Sequence, residues 1–71
     1  MNTVGPVLFR VALMYNGSKY YIAGPTNDPH VIIGNRGAGE YNNYEAGAII
    51  AEVLDRLEDG ETTITTERVV S

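Results

Sequence analysis

Seventy-one residues make one small domain, residues 1–71, that buries only about 60% of the surface its unfolded chain exposes. Nine acids against five bases give a formal net charge of −4, which argues against a general nucleic-acid binder, whose footprint is basic; the chain also has no cysteine for a disulfide or a thiolate metal site. No segment is long and apolar enough to span a membrane, and no charged region followed by an apolar run opens the chain, so the expected location is cytoplasmic.

Residues 2–6 read as a short leader, with Pro6 placed before the first strand or at its first residue. Residues 7–15, VLFRVALMY, read as a strand. Val7, Phe9, Val11, Leu13 and Tyr15 share one face, and Leu8, Arg10, Ala12 and Met14 share the other. The first set makes the better core face. Asn16-Gly17 is a sharp turn signal, because both residues tolerate the positive φ of a two-residue type I′ loop. Residues 18–23, SKYYIA, then return antiparallel. If Tyr15 faces Ser18, then Leu13 faces Tyr20 and Val11 faces Ile22 on the core side. Lys19, Tyr21 and Ala23 join the opposite face.

GPTNDP at 24–29 is a loop, HVIIG at 30–34 carries the β-branched content of a third strand, and NRGAGE at 35–40 is a glycine-rich connection. The stretch 41–60, YNNYEAGAIIAEVLDRLEDG, predicts one helix of about four turns. Ala46, Ile49, Ile50, Val53, Leu54 and Leu57 recur at three- and four-residue spacing. Asn42 and Glu45 have the spacing of a capping box, and Gly60 is placed for the left-handed turn that ends a helix. Residues 62–70 read as a last strand at a sheet edge, with Glu67 and Arg68 discouraging stacking. The fold class is therefore α+β: an antiparallel sheet of three to four strands packed by one amphipathic helix, in the order β-β-β-α-β. Ile49, Ile50, Val53 and Leu57 are expected to meet Phe9, Val11 and Leu13.

Several residue groups invite a chemical reading. Gly34, Gly37 and Gly39 with Arg36 lie between a strand and a helix, where backbone N–H groups can hold a phosphate. Their spacing is GxxGxG, neither GxGxxG nor a P-loop, and Glu40 and Glu45 repel an anion. The plainer reading is a tight connection that changes direction; a loop that engages a partner is the other alternative. His30 is the only histidine. It stands near Asp28 with no positioned nucleophile and no metal-ligand spacing, so the expectation is no enzyme, no cofactor and no metal site.

Glu52, Asp55, Glu58, Asp59 and Glu61 gather on the back and end of the helix. Arg56 is spaced to pair with Glu52. They form either a solvated face or a docking patch for a basic protein surface. The five tyrosines exceed what a small core needs, and tyrosine is enriched at interfaces. Tyr21, with Met14, is expected to form an exposed patch. Tyr44 either covers the core edge or contacts a partner.

In size, acidity, lack of cysteine and hairpin-plus-helix layout the chain resembles small phage-encoded proteins that inhibit host machinery, anti-CRISPR proteins among them. The resemblance is one of general character and carries no residue motif. It implies an acidic face, with residues such as Glu52, Asp55 and Asp59, occupying a surface built for nucleic acid. The expected function is a non-catalytic protein-binding module, an inhibitor or modulator of a partner with a basic surface such as a nucleic-acid-handling complex. Its contact residues would be Glu52, Asp55, Asp59, Tyr21, Tyr44 and Arg36. The alternatives are a homo-oligomeric structural or accessory subunit, such as a homodimer, and phosphate or nucleotide binding at the Gly34–Gly39 loop; direct nucleic-acid binding is not expected.

Overall fold

A computed structural model of the chain describes residues 7–57 and 60–69. The elements run β1 (Phe9–Tyr15), β2 (Ser18–Ala23), β3 (His30–Ile33), α1 (Asn43–Arg56) and β4 (Thr63–Arg68). The strands form one antiparallel four-stranded sheet in the order β3-β2-β1-β4. Asn16 at φ 51° and Gly17 at φ 80° make the positive-φ turn between β1 and β2. That turn sets the register: Tyr15 opposes Ser18 and Leu13 opposes Tyr20. The expected third pair, Val11 with Ile22, lies beyond the ladder, which stops at Ala12 and Tyr21. At that point the chain just before the helix takes over. The Gly39 N–H donates to the Ile22 carbonyl at 3.0 Å, and Tyr41 pairs with Phe9 through bonds of 2.7 and 2.9 Å.

Tyr41 joins the two layers. Its backbone belongs to the sheet, while the next residue caps the helix. The Asn42 side chain accepts from the Glu45 N–H at 2.8 Å, and the Glu45 carboxylate accepts from the Asn42 N–H at 3.0 Å. The Tyr41 ring is buried, and its hydroxyl donates to the Gly24 carbonyl at 2.6 Å. α1 ends at Arg56 with Leu57 as its cap, not at Gly60. Leu57 leaves the helical conformation at φ −84° and ψ 130° and packs its side chain against the core. Gly60 does take a positive φ of 68°, but in the connection to β4 rather than at the helix end.

The core lies between α1 and one face of the sheet. Val11, Leu13, Ile22, Tyr41, Ala46, Ile49 and Val53 are buried together, with Phe9, Tyr20, Ile50, Leu57 and Ile64 partly buried around them. This is the packing that the strand alternation and helix spacing predict. The first and last strands are shorter than the sequence reading. Val7 and Leu8 precede β1, and β4 spans Thr63–Arg68; Val70 lies outside the described residues.

Gly39 lies against the Tyr41 ring so closely that an added Cβ would sit 2.1 Å from the hydroxyl oxygen. The ring cannot swing aside, because it is buried and tied to Gly24. Gly39→Ala is therefore expected to destabilise the fold by about 1–3 kcal/mol, as overpacking does. Tyr41→Phe, which loses only the hydroxyl bond, should cost about 1 kcal/mol. Urea unfolding followed by circular dichroism measures both.

Candidate protein-binding surfaces

Four- and three-residue steps place Tyr44, Ala48, Ala51 and Asp55 along the outward side of α1, and all four are exposed. Tyr44 keeps 83% of its surface in solvent, so it does not cover the core edge. Tyr44 and Asp55 stand about 16 Å apart along the helix axis. Glu52 is turned to the flank, where Arg56 donates to it at 2.8 Å. A second guanidinium nitrogen of Arg56 reaches the Pro29 carbonyl at 3.3 Å. Asp59 lies outside the described residues.

The other expected contact residues are elsewhere. Arg36 is exposed in the turn after β3 and makes no ion pair with another described residue. Tyr21 is on the opposite side of the sheet, and it is buried, not an exposed patch. Its hydroxyl donates to Glu67 at 2.8 Å. Glu67 stands on β4, so the ring must cross β1, and it does so beside Ala12, which is fully buried. Lys19 bonds the same carboxylate and holds its ammonium 5.3 Å from the centre of the Tyr21 ring. Together these side chains cover the face that α1 leaves bare. The five of the expected residues that are described thus form no single cluster; Tyr44, Glu52 and Asp55 share one helix.

The end of the glycine-rich loop nearest the helix has its N–H groups engaged. The N–H groups of Ala38, Gly39 and Tyr41 donate to the carbonyls of Asn35, Ile22 and Phe9. Glu45 stands in the first turn of the helix beside them. An anion at that helix end would have to displace those bonds and meet a carboxylate.

One surface is absent from the sequence reading. Leu13, Tyr15, Tyr20, Val31, Leu57 and Thr62 line an apolar groove of about 290 Å³ beyond the end of α1. Val31 is 54% exposed and Ile33 beside it 86% exposed, both on the helix side of the edge strand β3. The cause is width. A helix about 10 Å across covers roughly two strands at 4.8 Å spacing, so it cannot shield the edge of a four-stranded sheet. That arithmetic was available from the single helix and the HVII run.

The chain matches no protein-family model, no curated protein and no solved structure. Among the described residues, no helix is long and apolar enough to cross a membrane, and no three His, Cys, Asp or Glu side chains group to hold a metal ion.

The cluster over the outer face titrates at both ends of the pH scale. The hydrogen bond from Lys19, and then that from Tyr21, hold the Glu67 carboxyl below its ordinary 4.5. The bond to Glu67, and then that to Tyr21, hold Lys19 above its ordinary 10.5. A lowered carboxyl contributes stability that is present above the unfolded value and lost as pH falls through the folded one. A raised ammonium contributes stability that is present below the unfolded value and lost as pH rises through the folded one. Lys19 is exposed and Glu67 only half-buried, so the effect is small and screened by salt. Between about pH 6 and about pH 3, Glu67→Gln should lose less of its urea midpoint than the native chain does. An equal loss in both would show that Glu67 does not carry the acid dependence.

Proposed function

We propose that the chain is a non-catalytic protein-binding module that uses the outward side of α1 to engage a partner with a basic surface, such as a nucleic-acid-handling complex. The observation that carries this reading is Tyr44, a large aromatic left 83% exposed on a rigid helix. The same side bears Asp55, and Glu52 flanks it. Tyrosine brings a large contact area at low entropic cost, and carboxylates around it select a cationic surface and speed its approach. The net charge of −4 acts in the same direction over a longer range. The general likeness to small phage-encoded inhibitors of host machinery, anti-CRISPR proteins among them, fits such a role.

The capping box fixes the first turn of α1, and the Tyr41–Phe9 pairing fixes that turn against the sheet. The backbone that carries Tyr44 is therefore ordered before binding, and only its side chain remains to be fixed. Immobilised native chain should retain a partner from the lysate of its own cells in a complex that added salt weakens. Tyr44→Ala combined with Asp55→Arg should reduce retention about tenfold or more while the circular dichroism spectrum is unchanged. Undiminished retention by that variant would remove α1 as the contact surface. A variant with Glu52 and Asp59 reversed as well extends the test to the other acidic residues expected at the contact.

A further inference from the structure

We infer that β3 is a self-pairing edge, and that two copies of the chain join through it into one continuous antiparallel sheet. The inference does not rest on the proposed role of α1.

β3 lies at the end of the sheet, and no described strand pairs with its far side. Proteins usually guard such an edge with a charge, a proline or a bulge within the strand. β3 reads His30-Val31-Ile32-Ile33 and has none of these; its only guard is its length of four residues. The other edge, β4, carries Glu67 and Arg68.

The hydrogen-bonding direction of β3 follows from the turn between β1 and β2. A two-residue loop closes on a bonded pair, here Tyr15 and Ser18, and bonded pairs then alternate along the ladder. Ser18, Tyr20 and Ile22 therefore turn their backbone groups toward β1; the Ile22 carbonyl, taken by Gly39, obeys this. Tyr21 turns its groups toward β3, where it opposes Ile32. Val31 and Ile33, which oppose Ile22 and Tyr20, must then turn their N–H and C=O groups outward.

Two outward-facing residues, one either side of Ile32, specify a two-fold pairing. With Ile32 opposite Ile32 of the second copy, Val31 opposes Ile33 and Ile33 opposes Val31, each pair exchanging both backbone bonds. Centring on Val31 instead would set Ile33 opposite Pro29, which has no N–H. The Ile32 register also matches charge. Asp28, before β3, and Arg36, after it, stand equally far from Ile32, so an antiparallel partner brings the Arg36 of each copy toward the Asp28 of the other. Both are exposed, and neither makes an ion pair with another described residue. The axis stands perpendicular to the sheet, so both helices lie on one side. Ile33 of each copy, the most exposed large apolar side chain among the described residues, then covers Val31 of the other at the rim of the groove.

Sedimentation of the native chain over a range up to about 500 μM tests this. The expected result is a monomer–dimer equilibrium. Ile33→Lys should weaken it about tenfold or more; at so exposed a position the substitution leaves the monomer folded, which circular dichroism verifies. Arg36→Asp and Asp28→Arg should each weaken association, and the two together should restore it. A chain that stays monomeric throughout, a dimer that Ile33→Lys leaves unchanged, or a paired swap that fails to restore association would each overturn the proposal. None of these outcomes bears on binding through Tyr44 and Asp55.

Discussion

The backbone pairing of Tyr41 with Phe9 is the constraint on which the two layers depend. A lone amphipathic helix of this length has no stable position of its own, and a sheet with one apolar face needs a cover. The pairing places the residue before the helix cap inside the sheet. The capping box then starts the helix within one residue of that anchor. From there Ala46, Ile49 and Val53 can only descend on Val11, Leu13 and Ile22. The Tyr41 ring adds a second tie by reaching back to Gly24, at the end of β2. One residue thus holds the first strand, the end of the second and the start of the helix, and it requires a neighbour, Gly39, with no side chain.

Local chemistry was readable in the sequence. Asn16-Gly17 specified the turn and the register of two pairs, the alternation in β1 specified the buried face, and Asn42 with Glu45 specified the helix start. Each signal acts over a few residues and needs no knowledge of the rest. The misreadings share the opposite property. Tyr21 looked exposed because nothing near it in sequence covers it; its partner Glu67 is 46 positions away, on a strand whose place beside β1 no local pattern specifies. Gly60 looked like the helix end because glycine favours that position, yet the chain leaves the helix at Leu57, whose side chain packs against the core. The role of Tyr41 needed both ends of a long connection.

The candidate surfaces follow from what a single helix leaves uncovered. Its outward side presents Tyr44 and Asp55; the sheet edge it cannot reach presents Val31 and Ile33. The first is charged and rigidly held; the second is apolar, with a backbone edge that no described strand pairs. They are separate surfaces, so a chain paired through β3 would still offer its helices, both on one side, to a two-site partner with a gain in avidity.

The place of β1, between β2 and β4, has a consequence for how the molecule is made. A chain emerging from the ribosome releases the β1–β2–β3 meander first and β4 only after α1. Until then one flank of β1 has no ladder and the Tyr21 hydroxyl no acceptor. The nascent meander therefore carries two open edges at once, and β4 is the closing step that removes one of them.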